Sequence, residues 1–329
     1  MKCQPLRKFL IAVTVGALAS GMAQAQAPAS GQIGSGQVIK FLVTHPAGGL
    51  PDTVARIVAR RMQERMGQAI AVENRTGANG GIAVSALTSA PADGQTFVVT
   101  DGAILSINPQ LYGKLPYEPR DVAPVAFLAR APLFLAVHPK VPVSSVQEFV
   151  DYVKARPGQL NYGSSGIGSI HHISMEGLKN ALRIDITHVP YRGTGESVPA
   201  LLGGHVETLF SALPSLSGAA GTNRVKLLAS NGVGRSVQAP DLPALSEFIP
   251  GFNFAPIVGI YARVGLPPAI MQTIAAEANA VLKEPEVIKA LAVVGVEPTG
   301  GGPEVFARAL QGEIERVGKV VQAAGIRAE

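Results

Sequence analysis

The stretch FLVTHPAGGLPDTVAR, residues 41–56, joins an apolar segment to a turn rich in Pro and Gly and then to a helical pattern. The apolar segment begins at residue 38 and is typical of a buried strand. Apolar side chains then recur at three- and four-residue spacing as far as Gly67, which predicts a helix with Asp52 as its N-cap. Such a strand–turn–helix unit builds parallel α/β sheets. Its turn can hold an anion, carry a catalytic group or only reverse the chain.

The same unit recurs along the chain, which therefore contains two α/β runs. Such alternation indicates parallel sheets covered by helices, with ligands bound at the carboxyl ends of the strands. We expect an α/β fold of two lobes around a central cleft, with lobe 1 at residues 38–128 plus 254–329 and lobe 2 at residues 129–253. The predicted strands are 38–43, 69–74, 96–102, 125–129, 133–138, 160–163, 186–190, 206–210, 225–230 and 254–262.

The N-terminal segment has the features of a secretory signal peptide. A basic start precedes an apolar run and an Ala-x-Ala site, which predicts a signal peptide at residues 1–25 and export to the periplasm. Residues 26–37 are mostly small and are expected to form a flexible linker.

Three of the 28 basic residues lie in the signal, which leaves 25 against 23 acidic residues and a net charge of +2. This balance gives no reason to expect nucleic acid as a partner.

Three glycine-rich turns are expected to follow strands on the cleft side: HPAGGLPD (45–52), TDGAILSINPQLYG (100–113) and NYGSSGIGSIHH (161–172). Each offers backbone N–H groups without bulky side chains, near a helix start that attracts a carboxylate or phosphate. None has the Gly-Lys-Ser/Thr ending of a phosphate loop, the dinucleotide fingerprint or the Gly-x-Ser-x-Gly pattern. The turns favour carboxylate binding, and plain chain reversal stays open for each of them.

His171, His172 and Glu176 raise the alternative of a metal site in an exported hydrolase. His172 and Glu176 are four residues apart on a predicted helix, which can place two ligands on one face. The pattern is not His-Glu-x-x-His, and no third ligand is placed, so we expect no metal, no cofactor and no catalytic residue. A histidine at this helix start is expected to bond to a neighbouring loop. Tyr191 is open between a pocket wall and a core position.

Nine segments together are typical of one known family: HPAGGLPDTVARIVA, VENRTGANGGIA, ADGQTFVVT, INPQLYGKLPYEPRDVAPVAFLA, ARPGQLNYGSSGIGS, HVPYRG, LLGGHVE, LKEPEVIKAL and KVVQAAGIRAE. Through them the sequence resembles the Bug receptors, the TctC-like periplasmic solute-binding components of tripartite tricarboxylate transporters. The resemblance covers essentially the whole mature chain in order.

The resemblance implies a type II periplasmic binding protein fold, in which two α/β lobes close on a small organic anion. It implies that the turns after the first strand and in the second lobe hold a ligand carboxylate, partly through water. Carried over by motif, the expected ligand-binding residues are Ala47, Gly48, Gly49, Asp52, Thr100, Asp101, Gly102, Gly163, Ser164, Ser165, Gly166, Ser169, His172 and Tyr191.

Three positions depart from the family pattern. The family usually has Phe where His45 stands, and a small or hydroxyl residue where Asp101 stands. It often has Asp at the position of Ser211, where an acid would meet a ligand ammonium group. Ser211 therefore weakens the case for an amino acid ligand, and His45 and Asp101 are expected either to pair in the cleft or to lie outside it.

The sequence thus predicts a periplasmic solute-binding protein for a small organic carboxylate, serving a tripartite tricarboxylate-type transporter. A receptor that presents the bound acid to a sensor kinase is an alternative that sequence does not separate from it. The exported hydrolase is the remaining alternative. We expect a monomer without a membrane span in the mature chain.

Overall fold

The computed structural model of the protein describes residues 36–219 and 223–327. The predicted signal peptide at residues 1–25 lies outside the described residues, as does nearly all of the predicted linker at 26–37. Within the described residues, no helix combines the length and apolar character that a membrane span requires.

Eleven strands and eleven α-helices make up the described chain. The strands are β1 (Ile39–Val43), β2 (Ile70–Asn74), β3 (Thr96–Asp101), β4 (Val122–Arg130), β5 (Phe134–Val137), β6 (Asn161–Ser164), β7 (Thr187–Pro190), β8 (Thr208–Ser211), β9 (Lys226–Ser230), β10 (Ile257–Arg263) and β11 (Glu297–Pro298). The helices are α1 (Leu50–Met66), α2 (Gly81–Ser89), α3 (Ala103–Ser106), α4 (Asn108–Leu111), α5 (Val146–Lys154), α6 (Ile170–Leu182), α7 (Thr194–Leu202), α8 (Leu213–Leu216), α9 (Pro268–Val281), α10 (Pro285–Val293) and α11 (Pro303–Ala324).

The first sheet has six strands in the order β11-β4-β10-β3-β1-β2. β1 lies parallel to both β2 and β3, with Phe41 opposite Val72 on one side and Phe97 on the other. β10 comes from much later in the chain and runs antiparallel to β3 and β4. The β1 and β3 carboxyl ends therefore meet at one edge, where two of the predicted turns begin.

The second sheet repeats this arrangement with five strands in the order β7-β6-β8-β5-β9. β6 is parallel to β7 and β8, and β5 is antiparallel to β8 and β9. β10 in the first sheet and β5 in the second are each the first strand after the chain crosses between sheets, and β11 also runs antiparallel to its neighbour β4. The predicted two-lobed α/β fold is thereby confirmed, while the division at residues 128/129 and 253/254 stays a prediction.

Apolar stripes on the helices explain how the sheets are covered. Val54, Val58 and Met62 of α1 are fully buried against the first sheet. Burial of each such side chain contributes about 1.5–3 kcal/mol relative to exposure. The last helix, α11, is different: Phe306 packs in a core beside the first sheet, whereas Val317 packs in the core of the second. This helix therefore spans the two lobes.

Candidate ligand-binding cleft

A cleft with a volume of about 1140 Å³ lies between the two sheets. The turns after β1, β3, β6 and β7 all line it. This confirms the expectation that the glycine-rich turns of both lobes face one space. Apolar side chains line the cleft as well: Ile104, Ile107, Leu111, Leu133, Ile167 and Ile170.

The turn between β1 and α1 uses its own backbone donors internally. Gly48 N–H donates to Asp52 Oδ2 over 2.9 Å, and Gly49 N–H donates to the Pro46 carbonyl over 3.0 Å. Gly48 has φ +81°, a left-handed conformation that favours glycine. The turn lines the cleft, but neither glycine N–H is free to hold an anion, contrary to the expectation of open amides.

Asp52 supports this turn from behind. The prediction that it caps α1 was wrong, because the helix begins at Leu50 with Gly49 as N-cap, and Asp52 lies within the first turn. Its buried carboxylate accepts hydrogen bonds from Arg56 and from Asn74 Nδ2, the latter over 2.7 Å. Burial raises the pKa of this carboxyl, but the hydrogen bonds from Arg56, Gly48 and Asn74 together lower it below its ordinary value.

His45 and Asp101 form a pair on the first-lobe wall. His45 Nε2 lies 3.5 Å from Asp101 Oδ2, and both residues line the cleft. The other ring nitrogen, Nδ1, lies 2.8 Å from Thr44 Oγ1, which is 2.5 Å from the buried Thr100 Oγ1. Of the two expectations for this pair, the one inside the cleft is confirmed. Thr100 lies beneath the turn and holds it, instead of lining the cleft.

The turn after β3 is also internally bonded. Gly102 N–H donates to the Ile257 carbonyl over 2.9 Å, and Ala103 N–H donates to Asp101 Oδ1 over 3.0 Å. A Cβ on Gly102 would come within 2.6 Å of Glu313 Oε1, so only glycine fits between the turn and this acid. Glycine at position 102 lets the turn pack close to Glu313, and its N–H group is not available to a ligand.

Glu313 is a buried acid at the floor of the cleft that sequence reasoning missed. Its Oε1 accepts a hydrogen bond from Ser106 Oγ over 2.6 Å. Burial raises the pKa of Glu313 to about 7, although the Ser106 hydrogen bond and the positive charges of Arg316 and Arg130 oppose that rise. Along α11, Glu313 lies between Phe306, which packs beside the first sheet, and Val317, which packs in the core of the second. The nearby Arg316 Nε donates to the Asn253 carbonyl over 2.9 Å.

The second-lobe turn offers donors that the first does not. Ser165 Oγ lies 2.7 Å from His171 Nδ1, and both side chains line the cleft. Burial lowers the pKa of His171 to about 4, so the ring is neutral at pH 7. In either neutral tautomer the pair keeps one polar hydrogen, on the Ser165 hydroxyl or on His171 Nε2, available to a ligand. This confirms the helix-start histidine bonded to a neighbouring loop.

A stack of three rings lies behind that turn. His172 and His188 are stacked with ring centroids 3.9 Å apart, and Tyr162 stacks on His188 at 4.8 Å. Gly168 N–H donates to His172 Nδ1 over 3.0 Å, and Ser164 Oγ lies 2.7 Å from His188 Nε2. Both histidines hold the turn from behind, and His172 does not line the cleft, where it was expected.

The geometry gives the metal alternative no support. Glu176 accepts hydrogen bonds from Tyr162 Oη over 2.5 Å and from Lys179 Nζ over 2.7 Å, so it turns away from His171. Across residues 36–219 and 223–327, no group of three or more His, Cys, Asp or Glu side chains is placed to hold a metal ion.

Arg192 adds a positive charge to the second-lobe wall. It lies two residues after the end of β7, is exposed and lines the cleft. Among the described lining residues it is the one Lys or Arg. The neighbouring Tyr191 packs at the edge of an apolar cluster beside Gly163, so of the two positions left open for Tyr191 the structure gives the core edge. The HVPYRG motif places a charged side chain, Arg192, near the carboxyl end of a parallel strand. This was a sequence signal for the cleft, and the predicted site residues did not include it.

The predicted site residues thus divide into two groups. Those that line the cleft are Gly48, Gly49, Asp101, Gly102, Ser165 and Ser169. Those behind or beside the lining are Ala47, Asp52, Thr100, Gly163, Ser164, Gly166, His172, Tyr191 and Ser211. Ser211 Oγ is buried and has no hydrogen-bond partner among the described residues. Contact of the lining residues with a ligand stays a prediction.

Comparison with known proteins places this architecture in context. A family model described as the tripartite tricarboxylate transporter family receptor (TctC) matches residues 54–326. Protein BugT of Bordetella pertussis is 30% identical over 304 residues, which cover 92% of this chain and 93% of BugT.

Two solved structures are similar over most of the chain and contain carboxylates. R. palustris Rpa4515 with adipate is 32% identical, with a TM-score of 0.76, and the match covers 89% of this chain and 99% of that one. MatC (Rpa3494) from Rhodopseudomonas palustris with bound malate is 30% identical, with a TM-score of 0.70, and the match covers 87% and 99%.

Proposed function

The chain belongs to the tripartite tricarboxylate transporter receptor family, and on that premise we propose that it captures a small organic carboxylate in the cleft between its lobes. The observation that carries this proposal is the second-lobe wall, where Ser165, His171 and Arg192 face the same space. Structural neighbours that hold adipate and malate support the carboxylate class. A carboxylate is the group that hydroxyl donors and a guanidinium recognise together.

In this proposal the anion binds to the second lobe first, and the first lobe then closes over it. Arg192 attracts the anion, and the Ser165–His171 pair donates a hydrogen bond to it. The amino end of α6, beside which Ser165 and Ser169 lie, adds the partial positive charge of a helix terminus. Closure brings the first-lobe turns onto the other end of the ligand and excludes water, which strengthens each polar contact.

The role is one of binding and not of catalysis. Ser165 and His171 are at hydrogen-bond distance, but burial lowers the pKa of His171 to about 4. A base this weak withdraws a serine proton poorly at neutral pH. Membership of a transporter receptor family supports the same conclusion.

Thermal unfolding in the presence of organic acids tests the proposal. A ligand at 100 times its dissociation constant stabilises the folded state by about 2.7 kcal/mol. Purified protein is screened with mono-, di- and tricarboxylates, and the strongest ligand is repeated on Arg192→Gln and on Arg308→Gln. Arg308 is exposed on α11 and lies outside the cleft lining, so its variant controls for loss of one charge. Stabilisation by no acid would contradict the proposal.

The partner and the location are parts of the same proposal. We expect export through the signal peptide at residues 1–25, action as a monomer, and delivery of the acid to membrane components of a transporter. Mass spectrometry of the protein recovered from the periplasm tests cleavage after Ala25. Uptake of the labelled acid in cells that lack this chain separates the roles: lost uptake supports transport, whereas normal uptake with a lost transcriptional response supports the sensor-kinase alternative.

A further inference from the structure

We infer that the His45–Asp101 pair restricts the cleft to acids whose second end carries a hydrogen-bond donor, such as a hydroxyl or an ammonium group, in place of a second carboxylate. This inference rests on the proposed function and narrows its substrate class. It starts from the difference between the two walls of the cleft.

The first-lobe wall presents acceptors to the cleft. Asp101 Oδ2 faces His45 Nε2 at 3.5 Å, a separation longer than an ordinary hydrogen bond, and the Asp101 side chain remains 21% exposed. Its other oxygen is already occupied by Ala103 N–H. A ligand donor can therefore approach Oδ2, whereas a ligand carboxylate there would face a like charge.

The backbone of that wall does not compensate for the negative charge. The N–H groups of Gly48, Gly49 and Gly102 all donate within the protein, to Asp52, Pro46 and Ile257. The floor beneath Asp101 contributes a second acid, Glu313. A carboxylate at this end would meet the charge of Asp101 and none of the glycine amides that the turn pattern suggested, while Glu313 is countered by Arg130 and Arg316.

His45 is held in place to serve Asp101. Thr100 Oγ1, Thr44 Oγ1 and His45 Nδ1 form a continuous chain of short contacts that ends on the ring. This chain engages Nδ1 and orients Nε2 toward Asp101. His45 is in this sense a positioning residue, and Asp101 is the specificity-determining one.

The opposite wall explains why one carboxylate is still needed. Arg192 and the Ser165–His171 pair lie on the second lobe, and aliphatic side chains such as Ile107 and Ile167 also line the cleft. The complementary ligand has a carboxylate at one end, an apolar body and a donor at the other end. A site rejects a ligand when binding would place a charge of the ligand beside a protein charge of the same sign.

A series of six-carbon acids that differ only at the far end tests the inference. Isothermal titration calorimetry at pH 8, above the ordinary titration range of imidazole, measures 6-hydroxyhexanoate, 6-aminohexanoate, hexanoate and adipate. We expect the wild type to bind the hydroxyl or the ammonium acid about tenfold or more tightly than adipate. Hexanoate, which lacks the donor, is expected to bind more weakly than 6-hydroxyhexanoate.

Asp101→Asn and Asp93→Asn form a matched pair of variants. Asp93 accepts a hydrogen bond from the backbone N–H two residues ahead, as Asp101 does, but it is exposed and outside the cleft lining. Asp101→Asn keeps the acceptor for Ala103 N–H and removes the charge. We expect it to raise adipate affinity and reduce the preference at least fivefold, while Asp93→Asn leaves the preference unchanged.

Three results would overturn the inference, and the third also overturns the proposed function. Adipate that binds the wild type as tightly as 6-hydroxyhexanoate, or a preference that survives Asp101→Asn, refutes the selective role of Asp101 and leaves carboxylate capture intact. Failure of the wild type and Asp101→Asn to bind these or any other organic acid, in protein whose melting shows that it is folded, refutes both.

Discussion

Replacement of Glu313 by Gln should remove a pH-dependent cost of folding. The buried acid has a pKa of about 7 in the folded protein, against 4.5 as its ordinary value. The folded state therefore holds this proton more tightly than the unfolded state does. Its contribution to stability is most favourable below pH 4.5, declines as the pH rises to about 7, and is constant above that value.

The size of the effect follows from the two pKa values. One pKa unit corresponds to about 1.4 kcal/mol, so the full difference is about 3 kcal/mol, most of which falls between pH 5 and pH 8. Gln keeps the side-chain oxygen that accepts the hydrogen bond from Ser106 and cannot ionise. Relative to the wild type, Glu313→Gln should gain about 2–3 kcal/mol of unfolding free energy between these two pH values.

Urea unfolding of both proteins at pH 5, 6, 7 and 8 measures this difference. The difference is needed because burial lowers the folded-state pKa of His171 and His188 to about 4, which makes the wild type lose stability as the pH falls from 6.5 toward 4. Those terms cancel between wild type and variant. Glu315→Gln, an exposed change on the same helix, is the control. A difference that does not vary with pH would refute the argument that burial raises the pKa of Glu313.

Three further changes probe the cleft itself. Ser165→Ala should weaken carboxylate binding by about 0.5–3 kcal/mol with little change in melting temperature, as measured by calorimetry of the identified ligand; unchanged affinity would move the contact to backbone or water. Arg192→Gln should lower affinity and flatten its dependence on salt between 50 and 300 mM NaCl, which Arg308→Gln should not do; an unchanged salt dependence would remove Arg192 from the site. Gly168→Ala should destabilise the protein by about 1–3 kcal/mol in urea unfolding, because Gly168 has φ +74° and a Cβ there would lie 2.2 Å from Leu111 Cδ1; wild-type stability would show that the turn relaxes freely.

Local patterns predicted the parallel part of each sheet well. The strand before HPAGGLPD, the helix after it and the strand at residues 70–74 all follow from residue periodicity and from Gly67, which ends α1 in a left-handed conformation. The start of α1 was misplaced because Asp52, a common N-cap residue, was predicted as its cap, whereas the helix already includes Pro51. Proline is tolerated in the first turn of a helix, where its missing N–H has no intrahelical partner to lose.

Sheet order was less accessible to sequence. β10 lies between β3 and β4, although more than 120 residues separate it from either along the chain. The pairing depends on the return of the chain from the second lobe, and no local spacing encodes it. The two-residue β11 was missed for a related reason, since so short a strand has no period to detect.

The site shows which sequence signals were informative. The glycines of the first-lobe turns indicated open amides, but the amides of Gly48 and Gly102 are bonded internally, so glycine there reports backbone conformation and close packing. The three departures from the family pattern were more informative, since His45 and Asp101 proved to be paired in the cleft.

Glu313 carries a signal of the same kind. The buried face of α11 recurs at intervals of four, three, four and three residues, through Phe306, Leu310, Glu313, Val317 and Val320. An acid in such a stripe breaks the helical pattern at its apolar face. Burial of a carboxylate costs free energy. Protonation of the group and hydrogen bonds from its neighbours can each offset that cost. Ser106 and the raised pKa of Glu313 are those compensations. The acid within the apolar stripe of α11 is therefore a sequence signal for the cleft that the glycine turns did not supply.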